Sequence, residues 1–507
     1  MQGAELMRQI FGGPDGLNGL AGSRPDGVLP ADWQAMADLD IAGITADSRQ
    51  VVPGDLFAAL PGHRIDGRTF IADAVERGAV AILAPAGTSW PNGVPMRPLI
   101  IDAEPRRRLA QIAATLAGPQ PETVVAVTGT NGKTSTVEFL RQIWTLAGHK
   151  AASLGTLGLI AAGFEPGPGL TTPDPVTLAE SLAGLARAGV ARMAMEASSH
   201  GLDQFRLDGV RLAAGAVTNL TRDHLDYHGT LDAYRTAKLR LFEALLPRGA
   251  PVVAHADMEP ATLAAIADVT ARRGQRLHTV GEVGAFFRLL AVVPHASGQT
   301  LTLDAGGVRR QVELALPGRF QADNVLVAAA LADILGTPDA LDLLPGLTGV
   351  RGRMELAARL PGGAAVYVDY AHTPDALERL LITLRPHTAG RLLVVFGAGG
   401  DRDRGKRPLM GQAAARLADV AIVTDDNPRG EDPASIRAAI LAACPGALEI
   451  GDRARAIEAA LNAMRPGDIL AVAGKGHEQG QTIGSTVIPF DDVDVVRRLA
   501  GVRGGGR

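Results

Sequence analysis

The feature that most restricts the fold of this chain is GTNGKTS, residues 129–135, because it lies between a strand-like run and a helix-like segment. The run TVVAV before it is apolar and β-branched, which predicts a buried strand. Apolar residues after it recur at the spacing of one helix face: Val137, Leu140, Ile143 and Trp144. Glycines in such a loop let backbone N–H groups reach phosphate oxygens, and the helix dipole favours the negative charge. The sequence therefore predicts a phosphate-binding loop on a parallel α/β sheet.

The side chains of this loop suit a nucleoside triphosphate with Mg²⁺. Lys133 can reach the β- and γ-phosphates, and the Thr134 hydroxyl can bind the metal. The match to the P-loop pattern is incomplete, because the first glycine of that pattern would fall at Val127. A tight glycine turn is the alternative. We predict that ATP contacts the whole loop: Gly129, Thr130, Asn131, Gly132, Lys133, Thr134 and Ser135.

Short apolar strands alternate with helical segments along most of the chain, which is typical of an α/β protein with doubly wound, mostly parallel sheets. The pattern predicts three domains: a small α/β unit at 1–120, a central ATPase-like unit at 121–349 and a Rossmann-like unit at 350–507. Residues 286–316 change character and predict antiparallel strands within the central unit.

Composition excludes several classes of function. A net charge of -4 and a pI near 6.3 argue against binding to nucleic acid or to an anionic membrane. The single cysteine, Cys444, allows no intramolecular disulfide, which fits a reducing compartment. We see neither a signal peptide nor an uninterrupted apolar run of transmembrane length, and therefore expect a cytoplasmic protein.

A second group of polar residues follows later strands. Glu196 lies in MEASSHGL, His224 in TNLTRDHLDYHGT, and Lys238 in the helical YRTAKLRLF. Glu196 and His224 are candidates for a second Mg²⁺ site, although imidazole is an unusual ligand for that hard ion. Metal ions would repel a lysine cation. Lys238 is therefore either an ordinary solvated lysine or a carbamate, the anion that its amine forms with CO₂.

The ordered motifs of the chain resemble those of the Mur ligases, specifically the members that add the third residue of the peptidoglycan stem peptide. The resemblance extends from TADSR at residue 45 to AGKGHE at residue 473. The motifs that carry it are GTNGKT, MEASSHGL, TNLTRDHLDYHGT, the Asn of GRFQADNVLVAAA, GRME, VDYAHTPDAL, FGAGGDRDRGKRPLMG, DDNPR and AGKGHE.

The family implies a three-domain ATP-dependent amide ligase. ATP would phosphorylate the free carboxylate of UDP-N-acetylmuramoyl-L-Ala-D-Glu, and the amine of the incoming amino acid would attack the acyl phosphate. Two Mg²⁺ ions and Lys133 would offset the negative charge that gathers in this reaction.

The resemblance also implies individual roles. Catalysis would involve Lys133, His224 and Lys238, and Mg²⁺ would be held by Thr134, Glu196, His224 and carbamylated Lys238. The nucleotide would further contact Asn324, Arg353, Asp369 and His372. The UDP-linked substrate would contact Ser48, His63, Arg64, Ile65, Thr171, Thr172, Ser198, Gln204 and Arg206. Where the family places an Asn before the Thr pair, this chain has Leu170.

The stretch TDDNPRGEDP, residues 424–433, follows the apolar run ADVAIV. Taken alone it predicts a turn. Family members that add meso-diaminopimelate share a D-N-P-R loop, and those that add L-lysine usually replace the Arg. The distal carboxylate of diaminopimelate suits a guanidinium, and Asn-Pro restricts the backbone that presents Arg429. The implied amino-acid site is Arg402, Asp426, Asn427, Pro428, Arg429, Gly474 and Glu478.

Three alternatives remain open at this stage. A folylpolyglutamate synthase is a related amide ligase but has no uridine-binding domain, and DDNPR would have no role in it. A catalytically inactive sensor of UDP-muramyl peptides would not need the intact set of Lys133, Thr134, Glu196, His224 and Lys238. A P-loop motor or nucleic-acid enzyme conflicts with the acidic charge. We expect a monomer whose C-terminal domain closes about hinges near GPQPET and near residues 348–351.

Overall fold

The computed structural model describes residues 1–11, 37–62, 65–164, 171–221, 223–401 and 403–501. The chain forms two compact units, Met1–His278 and Thr279–Arg507. Four residues named above lie outside the described residues: His63, Arg64, Leu170 and Arg402.

The N-terminal part of the first unit is a parallel sheet with strand order β1-β2-β3-β4. Its elements are α1 (Gly3–Phe11), β1 (Gly43–Thr45), β2 (Asp55–Ala58), α2 (Ile71–Glu76), β3 (Ala81–Pro85), β4 (Leu99–Asp102) and α3 (Pro105–Ala117), with 3₁₀ turns at Ser48–Gln50 and Gly67–Phe70. Both faces of the sheet are covered, because Leu56 packs in one cluster with Leu109 of α3 and Phe57 in another with Ile71 of α2. This two-sided burial explains the continuous apolar strands.

A second sheet fills the rest of the first unit, where its strand order is β10-β9-β5-β8-β6-β7. Its strands are β5 (Thr123–Thr128), β6 (Ala151–Gly155), β7 (Gly158–Ala161), β8 (Arg192–Glu196), β9 (Leu212–Val217) and β10 (Pro251–His255). Only β7, among these strands, runs antiparallel to its neighbour. Its helices are α4 (Lys133–Leu146), α5 (Pro175–Arg187), α6 (Ser199–Asp203), α7 (Leu225–His228), α8 (Leu231–Arg240) with a π turn at Leu241–Leu245, and α9 (Pro260–Arg272). The carboxyl ends of β5, β8 and β9 therefore meet at one edge, where open parallel sheets bind ligands.

Strands β12, β13 and β14 of the second unit form an antiparallel meander. β11 (Arg276–Gly281) begins in the first unit and ends in the second. The other elements of this part are β12 (Phe287–His295), β13 (Gly298–Ala305), β14 (Val308–Leu314), α10 (Arg319–Ile334) and a 3₁₀ segment at Ala340–Gly346. The meander confirms the antiparallel strands predicted for residues 286–316.

The C-terminal sheet of the second unit has strand order β15-β16-β20-β17-β18-β19, parallel except for the edge strand β15. Its strands are β15 (Glu355–Leu360), β16 (Ala364–Asp369), β17 (Leu392–Phe396), β18 (Val420–Val423), β19 (Leu448–Glu449) and β20 (Ile469–Ala473), followed by the hairpin β21 (Gly480–Ile483) and β22 (Thr486–Pro489). Its helices are α11 (Pro374–Leu384), α12 (Lys406–Leu417), α13 (Pro433–Leu441), α14 (Arg453–Ala463) and α15 (Asp492–Leu499), with 3₁₀ turns at Pro361–Gly363 and Arg385–His387. The strand–helix alternation confirms the predicted Rossmann-like arrangement.

The α/β class is confirmed. The division at residues 120 and 349 and the two hinges stay predictions, since the two compact units follow another division.

Within the described part of the chain, no helix has the length and apolarity needed to cross a membrane.

Candidate active site

The loop after β5 has the backbone geometry of a tight anion cradle. Gly129 and Gly132 adopt φ of +143° and +86°, which residues with a side chain rarely adopt. A Cβ on Gly129 would lie 2.0 Å from the Thr218 hydroxyl. Helix α4 begins directly afterwards at Lys133. The loop thus leads directly into the positive end of a helix, which favours the binding of a phosphate.

Residues after β9 brace this loop. The Thr218 hydroxyl donates to the Asn131 carbonyl at 2.6 Å, and the Asn219 side chain makes two hydrogen bonds with the Asn131 backbone. The Thr130 hydroxyl bonds both the carbonyl and the amide of Thr221 at 3.1 and 2.9 Å. Segments 87 and 91 residues apart thus hold one another in place, which preorganises the loop.

Two lysines converge on one carbonyl of the loop. Lys133 Nζ donates to the Gly129 carbonyl at 3.0 Å, and Lys238 Nζ donates to the same oxygen at 2.8 Å. Lys238 is 3% exposed, so it is not the ordinary solvated lysine of the alternative interpretation. Burial, together with the positive charge of Lys133, lowers the pKa of Lys238 to about 6. Burial also lowers the pKa of Lys133.

Glu196, the last residue of β8, is buried beside the first turn of α4. One carboxylate oxygen accepts from the Thr134 hydroxyl at 2.9 Å and from the Thr156 amide at 2.8 Å. Burial raises the pKa of the Glu196 carboxyl, although these hydrogen bonds and Lys133 oppose the change. The structure therefore joins Thr134 and Glu196, two hard oxygen donors that suit Mg²⁺.

His224 lies in the exposed segment before α7, with φ of +52°. Its Nε2 atom is 3.6 Å from Asp223, and its ring centre is 5.0 Å from that of His200. Among the residues that the structure describes, no three His, Cys, Asp or Glu side chains are grouped to hold a metal ion. A metal here would therefore depend on the hydroxyl of Thr134 and on a carbamate at Lys238 as well. Ser135 lies half-buried in the first turn of α4.

Five of the residues predicted for the UDP-linked substrate form one polar network next to Glu196. The Thr172 hydroxyl bonds the Ser198 hydroxyl at 3.0 Å, and Ser198 also caps α6. Arg206 donates to the Thr172 carbonyl at 2.6 Å and to the Gln204 side chain at 2.7 Å. The Thr171 hydroxyl lies 3.0 Å from that of Thr156, which also contacts Glu196.

The remaining residues of this set belong to the N-terminal sheet. Ser48 is buried in the first of the 3₁₀ turns. A hydrogen bond with the Ser48 hydroxyl is the main cause of the lowered pKa of Asp73 on α2. Ile65 is 61% exposed, so its side chain is free of the protein core and can meet a ligand.

The residues predicted to contact the nucleotide from the C-terminal side lie in the second unit. Asp369, at the end of β16, accepts from the amides of Met354 and Ala371, each at 2.8 Å. Burial raises the pKa of the Asp369 carboxyl. The Arg353 guanidinium stacks 5.2 Å from the ring centre of Tyr370.

His372 and Asn324 occupy different environments. The His372 ring lies 4.5 Å from the Tyr370 ring, and its Nδ1 atom is 2.9 Å from the Tyr370 carbonyl. Lys406 donates to the His372 carbonyl at 2.9 Å. Asn324 is 4% exposed within α10. The structure thus brings Arg353, Asp369 and His372 into one loop region and places Asn324 on a helix.

Arg429 is held by backbone pairing to the β21–β22 hairpin. Its amide donates to the Thr482 carbonyl at 3.1 Å, and its carbonyl accepts from the Gly484 amide at 2.7 Å. Its φ of +50° is uncommon for a residue with a side chain, and this pairing stabilises it. The guanidinium donates to the Gly400 carbonyl at 2.8 Å. The DDNPR segment is therefore a tertiary contact point as well as a turn.

Asp426, Asn427 and Glu478 come together in the same region. Asn427 Nδ2 donates to Glu478 Oε2 at 2.9 Å. Asp426 is 5% exposed, and one of its carboxylate oxygens has no hydrogen-bond partner among the described residues. A Cβ on Gly474, whose φ is +122°, would lie 3.4 Å from the Asp426 carboxylate. Pro428 is buried between Asn427 and Arg429.

The sequence prediction missed Lys475, which lies between Gly474 and Glu478 in AGKGHE. Its side chain is fully buried, and Nζ donates to Asn427 Oδ1 at 2.9 Å. A lysine in a glycine-rich loop directly after the apolar strand DILAVA is the signal that could have identified it. Thr156, which binds Glu196 from the loop after β6, was also missed, and nothing local distinguishes it from a turn threonine.

Three family models match the chain in order. They are "Mur ligase family, catalytic domain" at residues 40–116, "Mur ligase middle domain" at 127–332 and "Mur ligase, glutamate ligase domain" at 352–476. Together with a glycine loop, two converging lysines and a buried carboxylate on a parallel sheet, they define the class of protein. The chain belongs to the Mur ligase family.

Individual relatives are more specific. The chain is 56% identical over 473 residues to the UDP-N-acetylmuramoyl-L-alanyl-D-glutamate–2,6-diaminopimelate ligase of Caulobacter vibrioides, covering 91% of this chain and 96% of the relative. It is 54% identical to the ligase of that name from Mesorhizobium japonicum, covering 93% and 97%. A solved structure of a protein of the same name is 35% identical with a TM-score of 0.73, covering 91% and 95%.

Proposed function

We propose that this chain is the ATP-dependent ligase that adds diaminopimelate to UDP-N-acetylmuramoyl-L-Ala-D-Glu in peptidoglycan synthesis. The observation that carries the proposal is the convergence of Lys133 and Lys238 on the Gly129 carbonyl beside the Thr134–Glu196 pair. This arrangement suits a triphosphate, and it occurs in a chain 56% identical to a relative that bears this name.

The residues of the phosphate loop fit ATP with Mg²⁺. The Thr134 hydroxyl and the Glu196 carboxylate already lie 2.9 Å apart and offer the oxygen ligands that Mg²⁺ prefers. When bound, Mg²⁺ would supply a positive charge that stabilises the phosphoryl group during transfer. Lys133 would leave the Gly129 carbonyl to bind the β- and γ-phosphates. The predicted contacts of Asn324, Arg353, Asp369 and His372 with the nucleotide remain part of this proposal.

Lys238 fits the carbamate interpretation. The structure buries it at the strand end beside another lysine, where a pKa of about 6 favours the neutral amine that reacts with CO₂. The Lys238 nitrogen would form a bond with the carbon of CO₂ and lose a proton. The product is a carbamate anion, which can bind Mg²⁺. With ¹³CO₂, we expect a carbamate resonance in the wild type that is absent from Lys238→Met. A resonance of equal intensity in both proteins would contradict the carbamate.

The amino-acid site favours meso-diaminopimelate over L-lysine. The backbone of Arg429 is fixed by the hairpin, and one N–H of its guanidinium bonds Gly400. Other N–H groups of a guanidinium can bind the distal carboxylate, which lysine lacks. Glu478 and Asp426 would bind the distal ammonium. A lysine substrate would leave the Arg429 guanidinium without its carboxylate partner, which is a basis for rejection.

The reaction would proceed in two steps. An oxygen of the D-Glu carboxylate forms a bond with the γ-phosphorus, and ADP leaves. The amine of diaminopimelate then attacks the acyl carbon, loses a proton and displaces phosphate, which leaves an amide. The network of Thr171, Thr172, Ser198, Gln204 and Arg206 would position the UDP-linked substrate, together with Ser48, His63, Arg64 and Ile65.

The test is ATP-dependent phosphate release with UDP-N-acetylmuramoyl-L-Ala-D-Glu, with meso-diaminopimelate and L-lysine compared. We expect release with diaminopimelate and a UDP-linked tripeptide product of matching mass. Release with lysine in its place would preserve the ligase class and overturn the role of Arg429. No release with either amino acid would overturn the proposal and favour a sensor.

The proposal also includes a monomer with three domains, at 1–120, 121–349 and 350–507, that works in the cytoplasm, where ATP is available.

A further inference from the structure

Lys475 is the central cation of a buried polar cluster that the reaction scheme does not use. Its side chain is fully buried, and Nζ donates to Asn427 Oδ1 at 2.9 Å and to the Gly480 carbonyl at 2.7 Å. The carboxylates of Asp426 and Glu478 lie 3.6 and 3.7 Å from the same nitrogen. One ammonium thus joins the DDNPR segment, the AGKGHE loop and the start of the hairpin.

These contacts determine the orientation of the Asn427 amide. Lys475 Nζ and the Thr482 amide both lie 2.9 Å from the same Asn427 atom, and both groups are donors only. That atom must therefore be the oxygen. The other atom, Nδ2, must then face Glu478 Oε2, to which it donates at 2.9 Å. The orientation of Glu478 consequently depends on Asn427, which Lys475 and the Thr482 amide hold together, and on the ion pair with Lys475 itself.

The same ammonium balances charge. Two carboxylates close to one another repel, and a cation near both offsets that repulsion. Lys475 supplies that cation, because its Nζ atom lies 3.6 and 3.7 Å from the two carboxylates. Both carboxylates can therefore face an incoming ammonium group, while the N–H groups of Arg429 that do not bond Gly400 can bind a carboxylate.

We propose that Lys475 is a positioning residue for the amino-acid substrate, because it fixes the Asn427 amide and thereby presents the Glu478 carboxylate to the distal ammonium. The inference rests on the proposed function and adds a residue that touches no reacting atom. Removal of its charge should weaken binding of the amino acid and leave the other two substrates unaffected.

The first experiment compares Lys475→Met with Lys150→Met, since Lys150 is an exposed lysine of the first unit. We expect the KM for diaminopimelate to rise about tenfold to a hundredfold in Lys475→Met, the range for a lost charge-assisted hydrogen bond. The KM values for ATP and for the UDP-linked dipeptide should not change. Lys150→Met should match the wild type. A fall in kcat with all three KM values unchanged would indicate loss of folded enzyme and overturn the proposal.

A double-mutant cycle with Glu478→Gln tests the route through Glu478. If Lys475 acts through Glu478, the double variant should raise the KM for diaminopimelate no further than the more severe single variant, because the two changes remove one interaction. Multiplied effects would overturn the proposal. Should Lys475→Met fail to fold, Lys475→Gln tests the ion pair with Glu478 alone, since its amide can still donate to Asn427 but carries no charge. The KM for diaminopimelate should then rise by a smaller factor, and an unchanged KM would overturn the proposal. An inactive wild type would count against the proposed function, whereas an active wild type with an unaffected Lys475 variant would count against this inference alone.

Discussion

The loop after β5 gathers two lysines and one buried carboxylate, whereas the region after β20 gathers one lysine and two carboxylates. In the first, Lys133 and Lys238 share the Gly129 carbonyl and Glu196 accepts from hydroxyl and amide groups. In the second, Lys475 lies between Asp426 and Glu478. Both regions follow the carboxyl end of a parallel strand and contain glycines with positive φ.

Under the proposed function, this difference would let one type of scaffold bind ligands of opposite charge. A triphosphate is attracted by an excess of lysine, and an ammonium group by an excess of carboxylate. In both regions the ligand would lie in the crevice outside the carboxyl ends of the parallel strands. Under the proposed function, the sign of the local charge would then decide which ligand is bound.

The largest expected effect comes from reducing the positive charge at the phosphate loop. Lys133→Met should lower the rate of phosphate release by about a hundredfold or more, because a preorganised cation for the transferred phosphate is lost. Steady-state kinetics would measure this, with the exposed Lys150→Met as control. Full activity in Lys133→Met would show that the excess of lysine at the loop after β5 is not what binds the phosphates.

A smaller effect is expected from the single carboxylate of that region. Glu196→Gln should raise the Mg²⁺ concentration needed for half-maximal rate by about tenfold to a hundredfold, since a negatively charged oxygen ligand is replaced by a neutral amide. Activity titrated against Mg²⁺ would measure it, with the exposed Glu180→Gln of α5 as control. An unchanged Mg²⁺ requirement would show that Glu196 serves only to hold Thr134 and Thr156.

The amino-acid site should respond in selectivity more than in rate. Arg429→Ala should lower the preference for diaminopimelate over L-lysine by about tenfold, the effect of one lost charge-assisted pair. The ratio of kcat/KM for the two amino acids measures it, and Arg416→Ala, a largely exposed arginine on α12, is the control. An unchanged ratio would place the discrimination elsewhere in the site.

The smallest expected effect concerns pH and a residue outside both sites. His387 is buried, its Nδ1 lies 2.9 Å from the Gly298 carbonyl, and its Nε2 accepts from the Gly318 amide at 2.9 Å. Burial lowers its pKa, so the folded state keeps the ring neutral. The unfolded state binds a proton more readily. The neutral His387 therefore makes its full contribution to the free energy of unfolding above the unfolded pKa of about 6.5, and this contribution is lost as the pH falls below that value.

Thermal unfolding between pH 5 and 8 would test this, and His387→Gln should flatten the dependence. The ratio of kcat/KM for diaminopimelate to that for L-lysine should not change in that variant, since no charge at either site is altered. Equal pH slopes in the two proteins would contradict the assignment to His387.

The elements themselves were largely predictable. The strand–loop–helix unit around residues 129–135, the meander at 286–316 and the alternation after Val350 all follow from apolar periodicity, which acts over a few residues and needs no tertiary information. Glycine and proline mark the breaks between elements for reasons of local backbone geometry. The resemblance added the expectation that the loops after β5, β8, β9 and β20 carry the site.

Tertiary packing decided which side chains meet. Lys238 reaches a carbonyl 109 positions earlier, Glu196 meets Thr134 across 62 residues, and Lys475 meets Asn427 across 48. No local pattern determines such pairs, because they depend on which strand ends lie side by side. The sequence by itself determined the α/β elements and the residue types at their ends, whereas the burial of two lysines and their partners arose only when the sheets assembled and removed those side chains from water.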